Sequence, residues 1–312
     1  GAGNYSLSTT TLTTTGDIAK RALTLEGTAG TQFTKTYDGN ATVTQNLARG
    51  TNYRLAGVVE GEGTSVVALN ESAAQGAYAT KDAQAAGMRQ NVMFTNLALT
   101  GSGAGNYTLA ARKTFENAGR ITPRELNLAL ASGARFDKTY DGNANVAQSL
   151  AKGTNYSLTG FVTGEGAGIE LNAVTGKYAD KNAARDKAVT FGGLTLTGTG
   201  AGNYVLNKTA LTGIGTISPK QLNLALTSGA RFDKTYDGNA NVTQSLTKGT
   251  NYTLTNFVNG EGADIALAPV TGTYTDKNAG TGKAVTFGGL TLTGTGAGNY
   301  SLSTTTLTTT GD

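Results

Sequence analysis

Lys138, Tyr140 and Asp141 fall within four positions of the stretch FDKTYDGN, residues 136–143, and the same eight letters return at 232–239. A near copy, FTKTYDGN, occupies 33–40. An amine, a phenol and a carboxylate so close together are the side chains from which a proton shuttle or an amide-forming crosslink could be built. The chain has no His and no Cys, so Ser-His-Asp and Cys-His nucleophile systems and ordinary zinc sites are excluded. Any general base would have to be a carboxylate, a lysine or a tyrosine.

The sharpest chemical reading is an intramolecular isopeptide bond. Lys138 shares parity with Phe136 and Tyr140, which turns its ammonium toward the core. Asn203, in GAGNY on the last strand of the same copy, is the candidate partner, with Asp141 or Glu165 as proton shuttle. Asn203 has opposite parity to Tyr204 and Leu206, however, and is expected to face away from the core. The structural reading is therefore favoured: Lys138 lies along a sheet edge with its stem packed, and Asn203 closes a turn.

The other constellations yield no site. DGNANV at 141–146 begins like a calcium loop but has Val146 at the sixth position and Lys152 at the twelfth, so no metal is expected. GTGAGN at 198–203 lacks the last glycine of a dinucleotide loop and is followed by strand signals. No cofactor is expected, and any ligand-binding residues remain unassigned. Most tyrosines are expected in the core with the hydroxyl at the rim. Net charge is +4 without a Lys/Arg run, which excludes a dedicated nucleic-acid surface. No stretch reaches the roughly 18–20 apolar residues of a membrane-spanning helix, so no membrane insertion is expected. The reading is of a protein that is not an enzyme.

Internal repetition organises the chain. KTYDGN starts at Lys35, Lys138 and Lys234, and GAGNY ends at Tyr5, Tyr107, Tyr204 and Tyr300. Residues 121–216 align with 217–312 without a gap, with 71 identities over 96 positions, and 18–120 form a more divergent copy. Residues 1–17 are identical to 296–312. We divide the chain into 1–17, the tail of a preceding repeat; 18–120, repeat 1; 121–216, repeat 2; and 217–312, repeat 3. It reads as cut from a longer array. The divergent first copy keeps KTYDGN, GTNY, GEG and GAGNY.

Each repeat reads as about seven short strands. Leu126, Leu128 and Leu130 alternate, as in a half-buried strand. The pairs Asp38-Gly39, Asp141-Gly142 and Asp237-Gly238 are read as hairpin turns. Buried positions change parity at Gly192-Gly193, as at a β-bulge. The fold class is all-β: a tandem array of three small β-sandwich domains of immunoglobulin-like size. The alternative is a β-grasp-like unit, with one short helix formed around Val146 and Leu150. Pro123 and Pro219 stand at two junctions and restrict linker freedom; Lys20 takes that place at the first.

The ordered motifs I-[TS]-P-[KR]-x-L-x-L, K-x-Y-D-G-N, Y-x-D-K-N and L-T-L-T-G-x-G-A-G-N-Y resemble the YDG-type and related glycine-rich, mostly-β repeats of filamentous-haemagglutinin-like bacterial adhesins. The third motif departs in the first copy, where YATKD stands at 78–82. The resemblance implies a non-catalytic stalk or spacer within a large adhesin. Such a protein is exported by two-partner secretion, displayed on the bacterial cell surface, and supports adhesion or biofilm contact. Its partners would be surface glycans, exopolysaccharide or receptors on host or neighbouring cells, besides the rest of the same long polypeptide. The alternative is that each repeat binds a glycan or protein weakly and the array supplies avidity.

Overall fold

A computed structural model describes residues 1–312. It is all-β, with no α-helix; its only helical turns are short 3-10 segments, four of them at Ala-Gly-Asn. The chain forms two compact units. One comprises residues 1–125 with the loops 160–168 and 199–205. The other comprises 126–159, 169–198 and 206–312.

Repeat 1 has nine strands: β1 (Arg21–Gly27), β2 (Phe33–Thr36), β3 (Tyr53–Ala56), β4 (Ala68–Leu69), β5 (Gln75–Tyr78), β6 (Gln90–Thr95), β7 (Leu99–Thr100), β8 (Tyr107–Leu109) and β9 (Lys113–Thr122). Alternation builds them: in β1, Leu23 and Leu25 are buried while their neighbours face out, which is the period of a pleated strand. β1 lies between β3, antiparallel, and β8, parallel. A second sheet has the order β2-β9-β6-β5, with β2 parallel to β9. β4 and β7 form a separate pair. The sheets enclose a core in which Phe33, Phe94 and Phe115 meet at ring separations of 5.0–5.7 Å.

Repeat 3 repeats the first sheet with Lys220–Leu226 between Tyr252–Thr255 and Tyr300–Leu302. Repeat 2 repeats the second, with Lys138–Thr139 parallel to Ala210–Ser218, which pairs in turn with Ala184–Gly192. Phe136 and Phe191 pack there with tilted rings 4.7 Å apart.

The Asp-Gly turns exist, but they do not close hairpins. β2 pairs with β9, whereas the residues just past the turn join β5 at the opposite edge. Thr42 bridges Ala77, and the Val43 N–H donates to the Gly76 carbonyl. The segment thus supplies the edge strand β2 on one side of the sheet and, past the turn, a bridge to the strand at the other edge. Repeat 2 does the same, with Asn145 bridging Lys177 and Val146 bonding Gly176.

The helical turn of the β-grasp alternative is absent. Ladder bonds claim the backbone at Asn145 and Val146, and the Asn155 side chain accepts from the Ala151 N–H. Both compete with i→i−4 bonding. At Gly192-Gly193 the parity changes because the chain leaves one sheet for another: Leu196–Thr197 pairs with Glu170–Leu171. The register shift in that strand lies instead between Ala184 and Lys187, where Asp186 has φ +50°.

Residues 1–17 and 296–312 share one sequence and differ in structure. The C-terminal copy forms Tyr300–Leu302 against Lys220–Leu226 and Thr306–Gly311 against Lys283–Gly288. The N-terminal copy has one 3-10 turn and no strand, with Tyr5, Leu7 and Leu12 exposed. Strand identity here comes from a partner sheet and not from the segment's own propensity.

Candidate functional site

In KTYDGN the lysine is a clasp. Lys138 Nζ donates to Asp141 Oδ1 (2.6 Å), the Asn143 carbonyl (2.9 Å) and Asn143 Oδ1 (3.2 Å). Its side chain is only 5% exposed and packs 5.6 Å from the Tyr178 ring centre. Asp141 Oδ1 also accepts from the Asn143 N–H, and Asn143 Oδ1 from the Asn145 N–H. Three ammonium donors therefore meet three oxygens, and the turn is satisfied within itself. Burial opposes ionisation of Asp141, but the Lys138 ammonium and the Asn143 N–H hold its carboxyl below the usual range. Lys35 with Asp38 and Asn40, and Lys234 with Asp237 and Asn239, repeat this geometry.

The tyrosine of the motif faces elsewhere. In the second unit, Tyr140 is 1% exposed and its hydroxyl donates to Glu261 Oε1 at 2.8 Å. Glu261 Oε2 accepts from the Tyr300 hydroxyl at 2.6 Å. The two phenol rings meet edge to face at 5.5 Å and 77°. Lys181 Nζ lies 3.1 Å from Glu261 Oε1. Asn299 Oδ1 accepts from the Ala183 N–H at 2.7 Å. Gly142, at φ +83°, completes the fit: a Cβ there would lie 2.8 Å from Val258 Cγ1.

The first unit has the same arrangement one repeat earlier. Tyr37 donates to Glu165 Oε1 (2.8 Å) and Tyr204 to Glu165 Oε2 (2.5 Å), with the rings 5.4 Å apart. Asn203 Oδ1 accepts from the Ala83 N–H, and Asn203 Nδ2 donates to Asp82. A Cβ on Gly39 would lie 2.9 Å from Val162.

In each case KTYDGN and the Lys81–Ala83 or Lys181–Ala183 loop of one repeat meet GEG and GAGNY of the next. Electrostatics suit a docking contact. The Tyr300 hydroxyl outweighs the opposing burial and, with Tyr140 and Lys181, draws Glu261 below the usual carboxylate range. Burial first, then the Glu261 hydrogen bond, pushes Tyr140 up and Tyr300 to about 12. Glu165 is lowered and Tyr37 raised in the same way. Both carboxylate oxygens of each glutamate accept from a tyrosine hydroxyl, one from each repeat.

The four crosslink candidates divide into two groups. Lys138 and Asp141 hold their own turn, while Asn203 and Glu165 hold the Tyr37 junction. The hydrogen bonds of Lys138 and those of Asn203 go to different partners. The parity argument misplaces Asn203. It sits in the 3-10 turn Ala201–Asn203 and not in the strand after it, and it is buried at 7% exposure. All six residues of the turn signature, Asp38, Gly39, Asp141, Gly142, Asp237 and Gly238, lie in turns whose glycines have φ from +82° to +84°.

Sequence reasoning did not join Tyr140, Glu261, Tyr300 and Asn299 into one constellation, nor Tyr37, Glu165, Tyr204 and Asn203 into its counterpart. The available signal was the joint survival of KTYDGN, GEG and GAGNY in the divergent first copy.

The family model of the YDG domain matches residues 19–114, 122–211 and 218–307. No curated protein and no solved structure matches significantly.

Proposed function

This chain belongs to the YDG domain family, as three tandem copies, and from that membership we propose that it is a non-catalytic spacer whose repeats are held in fixed register by their own signature motif. The observation that carries this reading is the buried Tyr-Glu-Tyr contact, formed twice with the same partners. A spacer must resist bending at its joints, and two phenols held on one carboxylate are the contact by which these joints would do so. With the resemblance of its motifs, the reading extends to a stalk in a secreted bacterial surface adhesin, where spacing supports adhesion or biofilm contact.

The absence of cysteine makes the test direct. Spin labels at Ser149→Cys and Ser245→Cys, both exposed and both in the second unit, should give a narrow distance distribution that broadens in Glu261→Ala. A distribution already broad in the unaltered protein would sink the spacer reading. Glycan-array binding that grows from one to three repeats would replace it with the avidity reading.

A further inference from the structure

The signature turn joins two residues whose peptide bond is open to rearrangement. In an Asp-Gly pair no Cβ shields the glycine nitrogen, which can attack the aspartate Cγ. The new N–Cγ bond closes a five-membered succinimide, and the N–H proton leaves with a carboxyl oxygen as water. Solvent water then reopens the ring at either carbonyl. Attack at the main-chain carbonyl leaves the nitrogen on Cγ, so the chain runs through the side chain as isoaspartate, with no net change in mass.

Docking forces this pair on the molecule. Gly142 lies at φ +83°, and a Cβ there would stand 2.8 Å from Val258 Cγ1. Gly39 lies at φ +84°, with Val162 Cγ1 at 2.9 Å from the same point. Water reaches both aspartates, whose side chains are 46% exposed at Asp141 and 37% at Asp38.

The lysine opposes the reaction. Asp141 Oδ1 accepts from Lys138 Nζ at 2.6 Å and from the Asn143 N–H at 3.1 Å. Asp38 Oδ1 accepts from Lys35 Nζ and the Asn40 N–H at 2.6 and 3.2 Å. A carboxylate bound to an ammonium stays ionised, and an ionised carboxylate is a poor electrophile that does not shed an oxygen as water. The two bonds to Oδ1 also fix the rotamer of the side chain.

We propose that Asp38-Gly39 and Asp141-Gly142 are isoaspartate-forming modification sites, and that Lys35 and Lys138 are the residues that keep them from reacting. The consequence falls on the docking contact, and for that part the proposal rests on the spacer reading. Tyr140 holds Glu261 and Gly142 packs on Val258, one on each side of Asp141. Isoaspartate inserts one more carbon into the main chain between them, so the two no longer seat together and the joint loosens.

Prolonged warm incubation at neutral pH tests this, read by peptide mapping and isoaspartate methyltransferase labelling. Lys138→Met should raise isoaspartate at 141 about ten-fold or more, the factor that one charge-assisted hydrogen bond is worth. Asp38, clasped by Lys35 in the same molecules, should keep its unaltered rate. Phe136→Ala separates the clasp from general loosening: it costs the fold more but removes no group of the clasp, so its Asp141 should react more slowly than in Lys138→Met. The exposed pair Asn259-Gly260, which loses ammonia through the same ring, dates every sample. With the spin labels at 149 and 245, aged Lys138→Met should give a broader distance distribution than the same variant when fresh. Equal isoaspartate at 141 with and without Lys138, or faster formation in Phe136→Ala, overturns the protective role. Isoaspartate with an unchanged distribution overturns the consequence for the joint. Neither result alters the spin-label test of the unaltered chain, on which the spacer reading stands by itself.

Discussion

Lys138 and Tyr140 stand two residues apart and have separate jobs, one inside its turn and one on the next repeat. Replacing Lys138 with Met strands the Asn143 carbonyl and Asp141, and should cost about 2 kcal/mol, measurable by urea denaturation. Gly142→Ala and Gly238→Ala separate strain from docking. Both place a Cβ at positive φ, worth about 1–2 kcal/mol, but only Gly142 faces a valine. Its variant should lose about 1–3 kcal/mol more through overpacking. The contact also has a pH window. Glu261 is lowered from 4.5, so its stabilisation is complete above that value and fades as pH falls through its lower folded value. Tyr300 is raised from 10.0 to about 12, so its share is complete below 10.0 and is lost as pH climbs toward about 12. The spin-label distribution should broaden at both extremes and stay narrow between them. The residue types of this contact were legible in the sequence, but the pairing was not: Tyr140 and Glu261 lie 121 positions apart, and each motif reads locally as a turn.

At the scale of strands, alternation was a sound guide wherever one face is buried. Leu126 and Leu128 are fully buried, as their spacing implies. Phe136 and Phe191 are buried together, and Phe136→Ala should cost about 3–5 kcal/mol, read as a lowered urea midpoint with an unchanged slope. Pairing partners were the part that pattern could not supply. Asp-Gly between two short strands is the strongest local hairpin signal, yet β2 pairs with β9, some 80 residues on, because a parallel partner buries Phe33 against Phe94 and Phe115. The parity change at Gly192-Gly193 was correctly located, but a chain that switches sheets leaves the same trace as a bulge.

Across the whole molecule, neighbours decide how far each repeat is ordered. Lys138–Thr139 is a strand because Ile217 and Ser218 pair with it. The corresponding Lys234 and Thr235 lie outside any strand, with one bond from the Lys234 N–H to the Asp312 carbonyl. Amide hydrogen exchange should therefore be faster at 234–237 than at 138–141 under identical conditions. Equal protection would show that the turn orders itself without its neighbour.

The parallel pairs in repeat 1 carry a mechanical consequence. β1 opens the repeat and runs parallel to β8, and β9 closes it and runs parallel to β2. A tensile load applied through the two ends of such a repeat slides these strands lengthwise past each other. Their hydrogen bonds then bear the force together and cannot peel apart one at a time. Hydrodynamic drag on such a repeat would thus meet its stiffest direction.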